Sequence, residues 1–404
     1  MSQLKRIATI VVLFCLTMTS VVPPASGHRS QPVEIYHRAW QLVHDNYYDS
    51  NFNGKNWADY EHKFDGQIKT NADAQKYLKV MLEALNDPYT RYLDPRAFQD
   101  ENDAIDARIV GIGINLMQSR DQQHLIVTRT IEGGPAETAG VRKDDEIVAI
   151  DGQSAVGMTP EQAADRIRGK AGTAVQLSLQ ATATKPAPVR AVNITRQEIT
   201  IHAVSSHIEK NIGYINLSTF ISNDASHEFR NALSKCSRCD GLVVDLRDNP
   251  GGLLSNALEI ADMLLEGGAI VTTVSRHGRH TDISSSEPLT HQPIVVLVDE
   301  ESASASEILA SALKDNGRAV IVGNKTYGKG LVQEINRLPG GSAIHITVSR
   351  YLTPSGTDIN KVGVIPDVTV VNKVEQEKVA LSCLKEKIAS LKPPTHISNL
   401  AVVR

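Results

Sequence analysis

The sequence predicts an α/β protein in which a small β domain sits between a helical amino-terminal region and a larger core of alternating strands and helices. Three observations predict it. Residues 33–93 place their apolar side chains at helical spacing, residues 105–195 break into short β-like runs between glycine-rich turns, and from Ile199 onward strand-like and helix-like patterns alternate. With 404 residues, 41% of them apolar, the chain is long enough for two or three domains with cores of their own.

Residues 1–27 read as a secretory signal peptide: Lys5 and Arg6, an apolar run over 7–15, then the small residues Ala25, Ser26 and Gly27. The run is shorter than the ~20 residues that span a bilayer, and Thr17, Thr19 and Ser20 follow it. Cleavage near His28 and export of the chain are expected. The segment holds two of the 42 basic residues and none of the 46 acidic ones, so its loss takes the formal net charge from -4 to -6. Such a balance gives no footing for nucleic-acid binding.

In the amino-terminal region, 28–104, Ile35, Ala39, Leu42 and Val43 form one helical stripe and Tyr77, Leu78, Met81, Leu82 and Leu85 another. Asp87-Pro88 is expected to end the second helix, since proline disfavours helix in the residue before it. The β domain, 105–195, follows an acidic stretch over 100–106, with strands expected at 109–116, 124–130 and 146–150. A short helix at 137–139 stops at Gly140, and Thr159 caps a helix over 160–168 that has proline at its first position.

The core, 196–380, alternates strands at 213–217, 241–246, 293–298 and 319–323 with helices at 225–234, 253–265 and 303–314, which argues for a mainly parallel sheet. Past Val370 the chain looks helical and then irregular, and 381–404 is read as a tail. Outside the signal segment the cysteines are Cys236, Cys239 and Cys383, an odd number that gives no disulfide framework. A single CxxC is poor zinc-site material, so free thiols or a local disulfide are expected, with no metal.

Three blocks carry chemistry. Residues 294–308 join a buried-type strand to a helix through Ser302-Ala303-Ser304-Ala305-Ser306, a turn that presents a serine hydroxyl where a helix dipole and free N–H groups can stabilise an attacked carbonyl. Taken alone, such a turn is as well explained by helix capping. In the second block Lys329 sits between Gly328 and Gly330; burial disfavours its charged form, which suits a general base. Gln333, an even step away along the chain, falls on the same side of a strand and can orient the amine. The third block, 242–252, ends a buried strand in Gly251-Gly252, whose N–H groups can point into a site unobstructed.

Within 105–195, Gly111-Ile112-Gly113-Ile114, then Gly134-Pro135-Ala136, Ala139-Gly140-Val141 and Asp145-Glu146-Ile147 with Ile150-Asp151-Gly152 resemble a PDZ domain. The physical content is a loop of exposed N–H groups at Gly111, Ile112, Gly113 and Ile114 that can cradle a carboxylate beside a strand edge. With the three blocks, and with Tyr351-Leu352-Thr353-Pro354 and Gly363-Val364-Ile365-Pro366-Asp367, nearly the whole chain resembles the carboxyl-terminal processing, or tail-specific, serine peptidases. In that family a PDZ domain precedes a Ser/Lys core related to the crotonase spiral.

The resemblance implies Ser304 as nucleophile and Lys329, 25 positions on, as base; the choice among the three serines rests on that spacing. It further implies Gln333 as the residue orienting the lysine, the N–H groups of Ala305 and Gly251 (or Gly252) as oxyanion hole, Asp315 in support, and Arg168 as a coupling between the PDZ domain and the site. Glu300 and Glu301 depart from the glycine or asparagine usual before the serine turn. The blocks at 51–57 and 87–93 look like the subgroup from photosynthetic organisms, whose members trim the carboxyl-terminal extension of a photosystem II reaction-centre protein. Periplasm or thylakoid lumen, protein substrates held by their carboxyl termini, membrane proteins among them, and no cofactor are the corresponding expectations.

Three other readings compete. Gly323 to Lys329 matches most of a P-loop, but Gly330 replaces the Ser/Thr that holds magnesium and strand-like residues follow, so no nucleotide is expected. A non-catalytic PDZ scaffold with a degenerate protease core is the alternative from another class, disfavoured by the presence of Ser304, Lys329 and Gln333. A histidine triad is disfavoured by chain order, and His202, His207 and His345 read as ordinary strand or surface residues.

Overall fold

The computed structural model describes residues 32–391 apart from 107, 120, 122, 132, 183–187 and 201, so the expected signal peptide lies outside the described residues. Helix α1 (Pro32–Asn46) turns Tyr36, Ala39, Trp40 and Val43 inward. Helix α2 (Asn71–Glu83) starts in a capping box, in which Thr70 Oγ accepts from Asp73 N–H and the Asp73 carboxylate accepts from Thr70 N–H, and it buries Leu78, Met81 and Leu82. It ends at Glu83, ahead of Pro88. The helices alone do not close this core: Leu338, Ile344 and Ile346 from the far end of the chain complete it.

Helix α3 (Pro95–Ile105) was not expected. Asp94 caps it by accepting the N–H groups of Arg96 and Ala97, yet none of its residues is buried, so the sequence carries no strong apolar stripe to reveal it.

The chain enters and leaves the β domain through an antiparallel ribbon of Arg108–Gly111 with Gln197–Thr200. The run expected as one strand at 109–116 is therefore two elements: one half serves the ribbon, and Ile114–Gln118 joins the domain's own sheet. That sheet runs Ile114–Gln118, Leu125–Thr130, Asp145–Ile150, Ala174–Ala181, Arg190–Thr195, all antiparallel. Helices α4 (Pro135–Thr138) and α5 (Pro160–Ile167) accompany it, α5 capped by Thr159. Leu125, Val127, Ile147, Leu177 and Ile194 form a core separate from the others.

In the core, strands Val204–Glu209, Ile212–Leu217, Gly241–Asp245, Ile294–Val298, Ala319–Gly323 and Val368–Thr369 lie side by side in chain order, parallel after the first pair. All five residues of Ile294–Val298 are buried, because helices cover both faces of the sheet. Helices α6 (Ala225–Lys235), α7 (Leu254–Leu264) and α8 (Ala305–Asp315) pack with Leu242, Val244, Val296 and Ile321 on one face. Helix α9 (Lys373–Leu391) lays Ala380 and Leu384 on Val243, Val295, Leu297 and Val322 on the other. It runs through the boundary expected at 380, since those contacts belong to the sheet.

The mainly parallel sheet is as expected, and a second, antiparallel sheet that was not expected stands beside it. Ala343–Leu352 pairs with Arg91–Leu93, Gly268–Ser275 and Leu331–Arg337, and Gly278–Ser284 extends it beyond Gly268–Ser275. Gly268–Ser275, Gly278–Ser284 and Leu331–Arg337 are half-exposed and mixed in character, so they lack the apolar runs that mark the parallel sheet, while Ala343–Leu352 is largely buried. Cys236 and Cys239 are buried free thiols, with burial pushing Cys236 up to about 11. Among the described residues no helix is long and apolar enough to cross a membrane.

Candidate active site

The serine turn follows the most buried strand of the sheet and opens α8. Ser302 and Ser306 are fully buried and locked: Ser302 Oγ donates to Leu246 O at 2.8 Å, and Ser306 Oγ donates to Asn249 O at 2.9 Å. Ser304 alone of the three lines a cavity, of about 320 Å³. Its φ of 54° and ψ of -114° lie outside the ordinary regions for a side chain with a Cβ, a strain of about 1–3 kcal/mol that the surrounding packing must hold.

Lys329 reaches the same cavity from the loop before strand Leu331–Arg337. The flanking glycines make room for a second loop: a Cβ on Gly330 would come within 2.8 Å of Asn360 N, and one on Gly328 within 3.0 Å of Val362 N. Burial, aided by the charge of Arg91, pushes the Lys329 amine below its ordinary value, while Glu101, Glu307 and Asp87 pull the other way. Its Nζ lies 4.9 Å from the centre of the Tyr89 ring, so the amino-terminal region supplies one wall of the site.

Gln333 also lines the cavity, and its buried Nε2 has no hydrogen-bond partner among the described residues. The route to that position differs from simple strand alternation. Lys329 precedes the strand, and the register shifts between Val332 and Gln333, so tertiary folding and not an even residue step brings them together.

Gly251 and Gly252 complete the rim. A Cβ on Gly251 would sit 2.9 Å from Ser304 Cβ and 3.0 Å from Ala305 N, which shows how closely the two turns meet. The Gly251 N–H donates to Asn249 Oδ1 at 2.9 Å, whereas among the described residues the N–H groups of Gly252 and Ala305 have no acceptor. Asp315 does not reach the cavity; it accepts Ser355 N–H at 2.9 Å and holds the turn at 353–357.

Four groups at the site were given no role there from the sequence. The Tyr351 hydroxyl donates to Lys329 O at 2.5 Å and to Ser304 O at 3.2 Å. Glu307 binds the backbone of both loops. Glu101, from α3, and His345 line the cavity and are hydrogen-bonded at 2.9 Å, which holds the Glu101 carboxyl below its usual range. His345 is thus a cavity residue and not an ordinary strand histidine. His202 pairs with Glu228 and His207 stacks on Tyr214, both away from the cavity. Only Glu307 left a legible trace, the Ser-x-x-Glu pattern of a capping box.

A second concavity, of about 490 Å³, lies between strand Ile114–Gln118 and α5. Gly111, Ile112, Gly113 and Ile114 form one end of it, Leu116 and Ala164 line it, and Arg168 stands at its side. Among the described residues the N–H groups of Ile112 and Gly113 have no acceptor. Helix α3 borders this groove as well: Asp100 lines it and pairs with Arg168, and Arg96 pairs with Asp165.

The family model for peptidase family S41 matches residues 211–370, that for the PDZ domain residues 106–180, and that for the Tricorn protease C1 domain residues 29–86. The chain is 41% identical, over 82% of its length and 82% of the relative's, to the carboxyl-terminal-processing protease of Picosynechococcus sp.. To carboxyl-terminal-processing peptidase 2, chloroplastic, of Arabidopsis thaliana it is 32% identical, over 96% of its own length and 78% of that protein. The solved structure of a photosystem II D1 C-terminal processing protease, 32% identical, matches with a TM-score of 0.59 over 85% of this chain and 94% of that one. Likeness at this level runs through the helical region, the β domain and the core together, and the chain therefore belongs to peptidase family S41, among the PDZ-bearing carboxyl-terminal-processing serine peptidases.

Proposed function

We propose that the peptidase works through a Ser304/Lys329 pair and that its PDZ groove delivers substrates by their carboxyl termini. The observation that carries the reading is the convergence of a strained Ser304 and a lysine whose proton is loosened by burial on one cavity. The neutral Lys329 amine accepts the Ser304 Oγ proton as Oγ attacks the substrate carbonyl. The oxygen that becomes negative is met by the Ala305 N–H at the head of α8 and by that of Gly252, since the Gly251 N–H is already taken by Asn249. Lys329 then gives its proton to the departing amine; water, deprotonated by the same lysine, attacks the acyl carbonyl, and the lysine returns that proton to Ser304 Oγ as the acid leaves. Gln333, with its amide nitrogen unspent, steadies the amine or the bound peptide.

Ile105, Ile221, Leu254, Ile308 and Ile335 give the cavity an apolar lining, which suits an apolar residue next to the cleaved bond. In the other groove the free N–H groups at Ile112 and Gly113 receive the terminal carboxylate, and Arg168 reports its arrival to α3. The domain limits are those drawn above, 28–104, 105–195 and 196–380, with α9 added to the core. Export through the segment at 1–27, to a periplasm or thylakoid lumen, and a photosystem II reaction-centre protein as substrate are the further parts of this reading, supported by the cyanobacterial and chloroplast relatives. The test compares wild type with Ser304→Ala on one unfolded substrate carrying a free and then an amidated terminus. Cleavage that persists in Ser304→Ala would refute the chemistry.

A further inference from the structure

Glu307 stands at the third position of α8, where a carboxylate ordinarily does one thing: it accepts the N–H of the residue that begins the helix. Its Oε2 does this for Ser304 at 2.8 Å. Three more donors reach it from a different part of the chain. Oε2 also accepts Lys329 N–H at 2.9 Å, and Oε1 accepts Gly328 N–H at 2.7 Å and the Thr326 hydroxyl at 2.6 Å. The residue is 0% exposed, so these bonds replace solvent entirely, and helix capping accounts for one of the four. The carbonyls of the same two residues share the proton of the buried Tyr351 hydroxyl.

We propose that Glu307 is a positioning residue for the reaction, holding nucleophile and base in register by accepting the backbone N–H of Ser304 and of Lys329 on a single oxygen. The proposal rests on the assignment of Ser304 and Lys329 made above. The serine turn and the lysine loop also meet where Tyr327 N–H donates to Ser302 O at 3.0 Å, but among the described residues only Glu307 joins Ser304 and Lys329 by their own N–H groups, which limits the ångström of drift that proximity catalysis does not tolerate. The carboxylate also acts at a distance. Glu307, Glu101 and Asp87 favour the charged amine of Lys329, burial and Arg91 disfavour it, and the Tyr89 ring faces it.

The test follows covalent labelling of Ser304 by a fluorophosphonate, located by peptide mass, as a function of pH in the full-length protein. Glu307→Gln keeps the shape but accepts at one oxygen only and turns an N–H₂ toward two of the four donors. It is expected to react at least about 30-fold more slowly. Its rate-against-pH midpoint should also move down, because loss of a negative charge lets the amine deprotonate more readily. Equal rates, or slower labelling with an unmoved midpoint, would overturn the positioning role. Should Glu307→Gln fail to fold, Thr326→Val against Thr326→Ser decides: the first loses the donor and should slow labelling about fivefold, the second keeps it. Equal rates for those two would overturn the proposal. Failure of wild type to label at Ser304 would instead remove the Ser304/Lys329 assignment itself, a result distinct from normal labelling in every variant.

Discussion

Arg168, just beyond the end of α5, donates to the Asp100 carboxylate of α3 at 2.9 Å, and the next residue, Glu101, lines the cavity that holds Ser304 and Lys329. One helix with no buried residue of its own therefore touches both the groove beside α5 and that cavity. The pair is half-exposed, so its direct worth is at most about 1 kcal/mol. Arg168→Ala is expected to lower kcat about three- to fivefold at saturating substrate, measured by steady-state cleavage of a peptide with a free terminus. A rise in KM with unchanged kcat would mean that Arg168 only grips.

Ser304→Ala and Lys329→Ala should each reduce turnover by about a thousandfold or more, because nucleophile and base act as a unit. His202→Ala and His207→Ala, whose side chains lie away from the cavity, should stay within about twofold of wild type. His345→Ala is expected between these limits, since it releases Glu101 inside the cavity. A histidine variant as inactive as Ser304→Ala, beside an active Lys329→Ala, would reverse the assignment.

The lowered proton affinity of Lys329 fixes a sign for pH dependence. Turnover should climb about tenfold per unit as pH rises toward the lysine's folded value and then level off, below the ordinary ~10.4. A flat profile from about pH 6 to 10 would contradict a lysine base. Because the folded protein binds that proton more weakly than the unfolded chain, stability rises with pH between the two values, and the penalty is fully present below both. Lys329→Met removes the penalty, and its Tm at neutral pH is expected to rise while activity disappears.

Substrates with a free carboxylate and an apolar last residue should be processed well, and amidation or an acidic last residue should weaken processing about tenfold or more, mainly through KM. Removing 105–195 should abolish that preference. Equal cleavage of free and amidated tails by the intact enzyme would end the tail-recognition reading and leave the Ser304/Lys329 chemistry untouched.

Gly252→Ala is expected to be among the most damaging single-atom additions. Gly252 holds φ of 146°, and a Cβ there would lie 2.2 Å from Ile221 N, against backbone that cannot yield cheaply. Thermal unfolding should show a loss beyond the ~1–3 kcal/mol of backbone strain alone, with activity lost in the same variant. A stable, active Gly252→Ala would show that Gly252 does not lie as close to the Phe220–Ile221 backbone as the structure has it.

The chemistry-bearing blocks were legible because local rules mark them: a five-residue buried run before Ser304, glycines around Lys329, and paired glycines after the strand ending at Asp245. The choice of Ser304 among three serines was not local. It rested on a family spacing, and the structure gives a physical reason for it, since Ser302 and Ser306 spend their hydroxyls on Leu246 and Asn249. Helix α3 escaped notice because none of its residues is fully buried, and the place of His345 because a strand histidine has no sequence mark of the cavity it faces.

The sequence by itself determined the order of the parts, the parallel sheet and the residue types at the site, because burial on one or both faces of an element imposes a period that composition records. Tertiary structure alone decided which groups surround Lys329. Tyr89 and Glu101 come from the amino-terminal region, Glu307 from α8 and Tyr351 from the last long strand, and all four converge on the loop that carries the lysine. Nothing periodic connects residues so far apart in the chain. Their meeting depends on the antiparallel sheet, in which Arg91–Leu93 and Leu331–Arg337 pair with the one strand Ala343–Leu352 and carry the neighbouring loops to a common edge.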